Sequence, residues 1–158
     1  MIKKLKILLM IDWDPGKGSY LAEELIKLGI DCDIIGTDFS VATWKPIIKY
    51  FTFWYKCFLV SYRAFKQRHF YDYIVSWQQL MGLFYAGLKQ FVKEDGPRLF
   101  ITKPIFSERK NPVLNFIRRI VFRKMLDGAD IIGCYSLPLL KKMKNEFNLP
   151  ESKLVHLP

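Results

Sequence analysis

The amino-acid sequence predicts an α/β protein built on a doubly wound, mainly parallel sheet. Three observations carry this. Short apolar runs alternate with longer amphipathic stretches along the whole chain. The apolar runs are continuous rather than alternating, as strands buried on both faces require. The joints between them carry the capping and stop residues of βα units.

The elements follow in order. "LKILLMID" (5–12) is the first strand, and "WDPGKG" is a loop. "SYLAEELIKLG" is a helix with Ser19 at its cap and Gly29 at its stop. "DCDIIGTD" (31–38) completes a βαβ unit, for which a right-handed crossover is the rule. A long helical stretch, 44–70, leads to the strand "YDYIVSW" (71–77). Next come a helix over 79–94, with Gly82 and Gly87 allowing close packing, and the strand "PRLFITK" (97–103). A helix over 111–128 has Asn111 as cap, Pro112 in its first turn and Gly128 as stop. A strand (129–136), a helix (137–148) and a short strand (152–158) close the chain. The sequence ends in mid-pattern, so 158 is expected to be either an edge strand or the junction to a further domain.

Composition narrows the function classes. The chain has 158 residues, one domain's length, and its 51% hydrophobic content excludes disorder. A net charge of +10 calls for a polyanionic partner, nucleic acid or an anionic membrane surface. Cys32, Cys57 and Cys134 follow no paired spacing and read as free thiols. His69 and His156 lack ligand-like neighbours, so no metal site is expected. The apolar run 7–11 is too short for a signal peptide, and no uncharged run approaches the roughly 20 residues of a membrane span. A cytoplasmic location is expected.

The stretch "WKPIIKYFTFWYKCFLVSYRAFKQRHF" (44–70) contains no acidic residue. Thr43 is its candidate cap, and Pro46 falls in its first turn. At about 100° per residue, Lys45, Lys49, Lys56 and Arg63 share one side with Lys66. Ile47, Phe51, Trp54, Phe58 and Phe65 centre on the other, flanked by Tyr50, Tyr55 and Tyr62. Ile48, Leu59 and Val60 intrude near the basic stripe. Two readings stand: a helix lying in a bilayer interface, or one packing its aromatic face on the domain's own sheet. Stacking on nucleic-acid bases is disfavoured, because the aromatics face away from the charges. In helix 111–128, Val113, Leu114, Ile117, Ile120 and Val121 share a face that is expected to pack on the sheet. Arg118, Arg119 and Arg123 point elsewhere and are candidates for membrane or phosphate contact.

Most catalytic motifs fail. "DPGKGSY" lacks the first glycine of the P-loop, since Ile11 stands there, and it does not complete GxGxxG. It remains a loop feeding a helix N-terminus, either an anion site or a plain βα turn. Asp12, Asp14 and Lys103-Pro104 are similar to a response-regulator receiver, but "YIVSWQ" lacks the acceptor Asp and two more strands follow. Asp14 is either a general base or sugar-hydroxyl ligand, or a loop-stabilising side chain.

The run Tyr71-Asp72-Tyr73-Ile74-Val75, then Ala129-Asp130-Ile131-Ile132 with Ser136, then 149–158 "LPESKLVHLP", carries a resemblance. With the order of elements, it resembles the N-terminal domain of a GT-B glycosyltransferase, most like family 4. The resemblance implies a Rossmann-like domain forming one half of a GT-B architecture. It implies acceptor binding, with a lipid-linked or saccharide acceptor, and peripheral docking on the inner face of the cell membrane. The nucleotide-sugar donor is then expected on a second domain absent from this chain, with no cofactor held here and no nucleic acid involved. Asp14, Gly16, Lys17 and Gly18 would line the cleft, with Gln78, Gln79 and Lys103 on the same edge. The implied membrane contacts are Lys45, Lys49, Trp54, Lys56, Arg63, Arg118, Arg119 and Arg123. The histidine frequent in the family after the fourth strand is absent, with Lys103-Pro104 near that place. The alternative from the residues alone is a non-enzymatic α/β module that docks on a membrane or protein through its basic aromatic helix.

Overall fold

Six short strands pair side by side in one parallel sheet. They are β1 (Lys6–Ile11), β2 (Asp31–Gly36), β3 (Tyr73–Ser76), β4 (Arg98–Thr102), β5 (Ile131–Cys134) and β6 (Leu154–His156), in the order β2-β1-β3-β4-β5-β6. The computed structural model describes residues 4–38, 45–92, 96–108 and 110–157. The expected Rossmann-like doubly wound fold is present. The expected cap Thr43 and the Trp44 beside it fall outside the described residues, as do 93–94 and 158 at the ends of two expected elements.

Among the described residues five α-helices cover the sheet: α1 (Tyr20–Lys27), α2 (Pro46–Lys66), α3 (Gln79–Gln90), α4 (Pro112–Asp127) and α5 (Leu137–Phe147). The step from β1 to β2 runs one way along the sheet, and every later step runs the other way. Right-handed crossovers therefore place α1 on one face and α2 to α5 on the opposite face. The two core clusters agree. Ala22 of α1 packs with Ile7, Leu9, Ile11 and Val75, while Val60, Met81, Leu126 and Met143 pack with Leu8, Met10, Ile74 and Ile101. The change of direction lies between β1 and β3, and the crevice at the carboxyl ends of those strands is where open α/β sheets take ligands.

The local expectations are met in part. Asn111 Oδ1 accepts from Leu114 N–H at 3.0 Å, with Pro112 in the first turn. Gly29 ends α1 at φ 79°, and Ser136, not expected as a cap, accepts at Oγ from Leu139 N–H at 3.3 Å. Ser19 holds the cap position of α1 without a side-chain bond. Gly82 is needed for close packing, because a β-carbon there would lie 2.8 Å from Ile101 Cγ1 and 2.9 Å from Ser76 Cβ. Gly87 is not: nothing lies within 4 Å of its β-carbon position.

On α2 the structure departs from one of the two readings, the aromatic face packed on the sheet, and α4 departs from its expectation in the same way. The inward face of α2 is neither the aromatic nor the basic side but a third one, made of Cys57, Val60, Ser61 and Ala64, all buried. Ser61 Oγ lies 2.7 Å from Cys57 O and 2.8 Å from Met81 O on α3, so the two helix backbones approach closely. Small residues permit that approach and large aromatics do not. Most of the aromatic side is left outside, with Phe51 70% and Tyr55 61% exposed, while Phe65 at its end packs against Tyr85. On α4, the face expected against the sheet is also exposed, and only Phe122 and Leu126 are buried.

Candidate functional site

Residues at the carboxyl edge of β1, β3 and β4 come from three strands that are neighbours in the sheet. After β1 the chain forms a 3-10 turn, Pro15–Lys17, capped by Asp14. Asp14 Oδ1 accepts from Gly16 N–H at 2.9 Å, Asp14 O from Lys17 N–H at 3.0 Å, and Pro15 O from Gly18 N–H at 3.0 Å. Trp13 Nε1 donates to Gly18 O at 2.9 Å, and Gly18 adopts φ 70°. The N–H groups of Gly16, Lys17 and Gly18 are thus consumed inside the turn. This favours the plain βα turn over the phosphate cradle left open by the sequence. Asp14 acts in the loop-stabilising role, although its exposed carboxylate still faces solvent at the edge.

After β3, Gln78 caps α3: its Oε1 accepts from Leu80 N–H and, at 3.4 Å, from Met81 N–H. Gln79 Oε1 accepts from Ile105 N–H and so ties the start of α3 to the loop after β4. Trp77 meets Trp13 edge to face, with ring centroids 6.3 Å apart. Thr102 Oγ1 donates at 3.0 Å to the carbonyls of Ser76 and Trp77. Lys103 follows at φ 48°, in the left-handed region, with its N–H bonded to Gly133 O at 2.8 Å.

A cavity of about 360 Å³ opens beside this edge, between α2, α3 and α4. Tyr50 and Trp54 line it from α2, Leu83 and Phe84 from α3, and Val121 and Met125 from α4. Gln78, Gln79, Ser107 and Arg118 supply its polar lining. Trp54 meets Phe84 edge to face at 5.8 Å, and Tyr50 lies 5.7 Å from Trp54. Of the expected cleft residues, Gln78 and Gln79 reach this cavity. Asp14, Gly16, Lys17, Gly18 and Lys103 stand on the same sheet edge but do not line it. Sequence reasoning missed the loop residues Ile105 and Phe106 and the α4 wall. The available signal was an apolar side on α4 that the sheet had no room to cover.

The basic candidates divide. Lys49 and Arg63 are exposed along α2. Lys45 is exposed at the N-terminal end of α2, and Lys56 Nζ donates to Asp38 O at 2.6 Å. The three arginines of α4 turn back into the domain. Arg118 donates to Ser107 O at 3.0 Å and stacks over Phe106. Arg119 pairs with Glu146 at 2.9 Å, and Arg123 bonds Asp127 and Asn148 O. They tie α4 to its neighbours rather than standing free on the surface. Among the described residues no cluster of three metal-ligating side chains occurs, and no helix is long and apolar enough to cross a membrane.

No family model matches the chain, and no curated protein matches it. A solved structure does. HepE of Anabaena, crystallised in complex with UDP, is similar over 97% of this chain, with a TM-score of 0.52 and 12% sequence identity. The likeness is one of fold. It supports the Rossmann-like parallel α/β fold of this domain. The chain spans 43% of the length of HepE.

Proposed function

We propose that the chain is the acceptor-binding, membrane-associating half of a glycosyltransferase that moves a sugar from a nucleotide sugar to a lipid-linked or saccharide acceptor. The observation that carries this reading is the fold likeness to less than half of a protein that binds UDP. In this reading the donor sits on a second Rossmann-like domain, in the same polypeptide or in a partner subunit, and this domain alone is inactive. The cleft between the two halves would exclude water, and charge held in place there would stabilise the leaving diphosphate. The acceptor would meet Asp14, Lys17, Gln78, Gln79 and Lys103 along the carboxyl edge.

Membrane association rests on α2. Its aromatic side is solvent-facing, its basic side carries Lys49 and Arg63, and no acid lies on the helix. Such a helix lies in the headgroup region with aromatics inserted and cations near anionic lipid, each cation adding about 1 kcal/mol. The place of action in this reading is the inner face of the cell membrane. The self-satisfied turn at Gly16–Gly18 favours one competing reading, a non-enzymatic module that docks on a membrane or a protein.

Amide NMR of the purified chain separates the two. An acceptor glycolipid in detergent should shift the resonances of Gln78, Gln79 and Lys103, while UDP should shift none. Saturable UDP shifts at this edge would overturn the division of labour, and an edge silent to every glycolipid would favour the module.

A further inference from the structure

The geometry points to the α2–α3–α4 cavity as the seat of a hydrocarbon chain, so that the acceptor is an amphiphile with an anionic head. This deepens the acceptor reading and rests on it. The volume, about 360 Å³, falls at the lower end of the roughly 300–1,000 Å³ typical of small-molecule sites. It suits a flexible chain better than a protein helix. Leu83, Phe84, Val121, Phe122 and Met125 make the walls apolar.

The polar groups are few, and three of them, Gln78, Gln79 and Arg118, offer donors beside the Ser107 hydroxyl. Gln78 and Gln79 commit their Oε1 atoms to backbone N–H groups, which leaves their amide N–H groups as donors. Arg118 adds a cation. Donors and a cation beside an apolar slot match a phosphate or similar anionic head on an alkyl or isoprenoid tail. The surroundings match as well. The two outer helices that wall the cavity carry exposed apolar side chains, Phe51 and Tyr55 on α2 and Val113 and Ile117 on α4. Neither α2 nor α4 carries an acidic residue before Asp127. A chain leaving a bilayer would enter between two helices whose exposed apolar residues are themselves suited to the interface.

The test uses the full chain labelled with 13C at the methionine methyls. Met125 lines the cavity, while Met10 and Met143 are fully buried elsewhere and report folding. Decyl phosphate below its micelle concentration should shift Met125 saturably and leave Met10 and Met143 in place. Inorganic phosphate alone should leave Met125 unmoved, which separates an amphiphile from a free phosphate. Val121→Trp, or Ile117→Trp if the first variant misfolds, fills the slot and should weaken decyl phosphate binding by roughly tenfold or more.

A Met125 resonance indifferent to decyl phosphate overturns the proposal, as does equal binding by the filled variant. So does a Met125 shift that follows protein concentration alone with dimer formation, which would mark the slot as a chain–chain contact. Co-sedimentation with phosphatidylcholine–phosphatidylglycerol vesicles runs beside it. If vesicle binding persists while Met125 stays silent, the chain-binding slot fails and the membrane reading stands. The reverse pattern sinks the membrane reading and keeps the slot.

Discussion

Lys103 occupies a backbone conformation that a β-carbon makes costly. At φ 48° the penalty is roughly 1 kcal/mol or more, and it falls at the carboxyl end of β4, where a ligand would bind. Lys103→Gly should therefore raise stability by about 0.5–1 kcal/mol in urea unfolding, and weaken the glycolipid-induced shifts at the edge. Loss of stability instead would show that the lysine side chain outweighs the strain. Two glycines give a sharper contrast. A β-carbon on Gly128 would lie 2.3 Å from Ala86 O, so Gly128→Ala should cost about 1–3 kcal/mol by overpacking. Gly87, inside α3 with open space around it, should behave oppositely: Gly87→Ala should stabilise by about 0.5–1 kcal/mol. Both changes are read in the same denaturation experiment. Neither glycine has a positive φ, and it is the neighbour at Gly128 that sets the two apart.

At the scale of the element, α2 has three sides: small and buried, aromatic and largely exposed, basic and exposed. Ala64 is fully buried on the small side. Ala64→Leu should push α2 off α3 and cost about 1–3 kcal/mol. Phe51→Ser with Tyr55→Ser, on the aromatic side, should change stability by no more than about 0.5 kcal/mol each. The same pair should sharply reduce vesicle co-sedimentation, as should Lys45, Lys49, Lys56 and Arg63→Glu. If vesicle binding is unaffected by both sets, α2 is not the docking element. Helical periodicity places residues around an axis but does not say which direction meets the protein. Two apolar sides competed on α2. The choice was made by the close approach of α3, to which Ser61 can bond only across a short gap. The exposed side of α4 follows from the same cause: α3 fills the sheet beside it, and Phe122 and Leu126 suffice to anchor it.

The whole molecule should lose stability in alkali. Burial, with a smaller contribution from Asp12, raises the Cys57 thiol from 9.0 to about 12. Burial, then the hydrogen bond to Asp33 at 2.9 Å, raises Tyr71 from 10.0 to about 12. In both cases the unfolded chain releases its proton first, so it is favoured as pH rises from about 9 towards 12. Unfolding midpoints measured across that window should fall, and Cys57→Ala should remove part of the slope. Buried Cys57 and Cys134 should also stay silent to a thiol reagent at neutral pH until the protein unfolds.

The strand–helix alternation, the parallel sheet and the cap at Asn111 were determined by sequence alone, because they depend on continuous apolar runs and on residues a few positions apart. The same holds for the placing of Asp14, Gln78, Gln79 and Lys103 on one edge, since each follows a strand that must run parallel to the others. Only the tertiary structure decided which side of α2 and α4 faces inward. It also decided that the Gly16–Gly18 turn satisfies its own N–H groups, and that Ile105, Phe84 and Met125 meet around a cavity. Those outcomes depend on distances between segments far apart in the chain, which close packing sets and local pattern does not record.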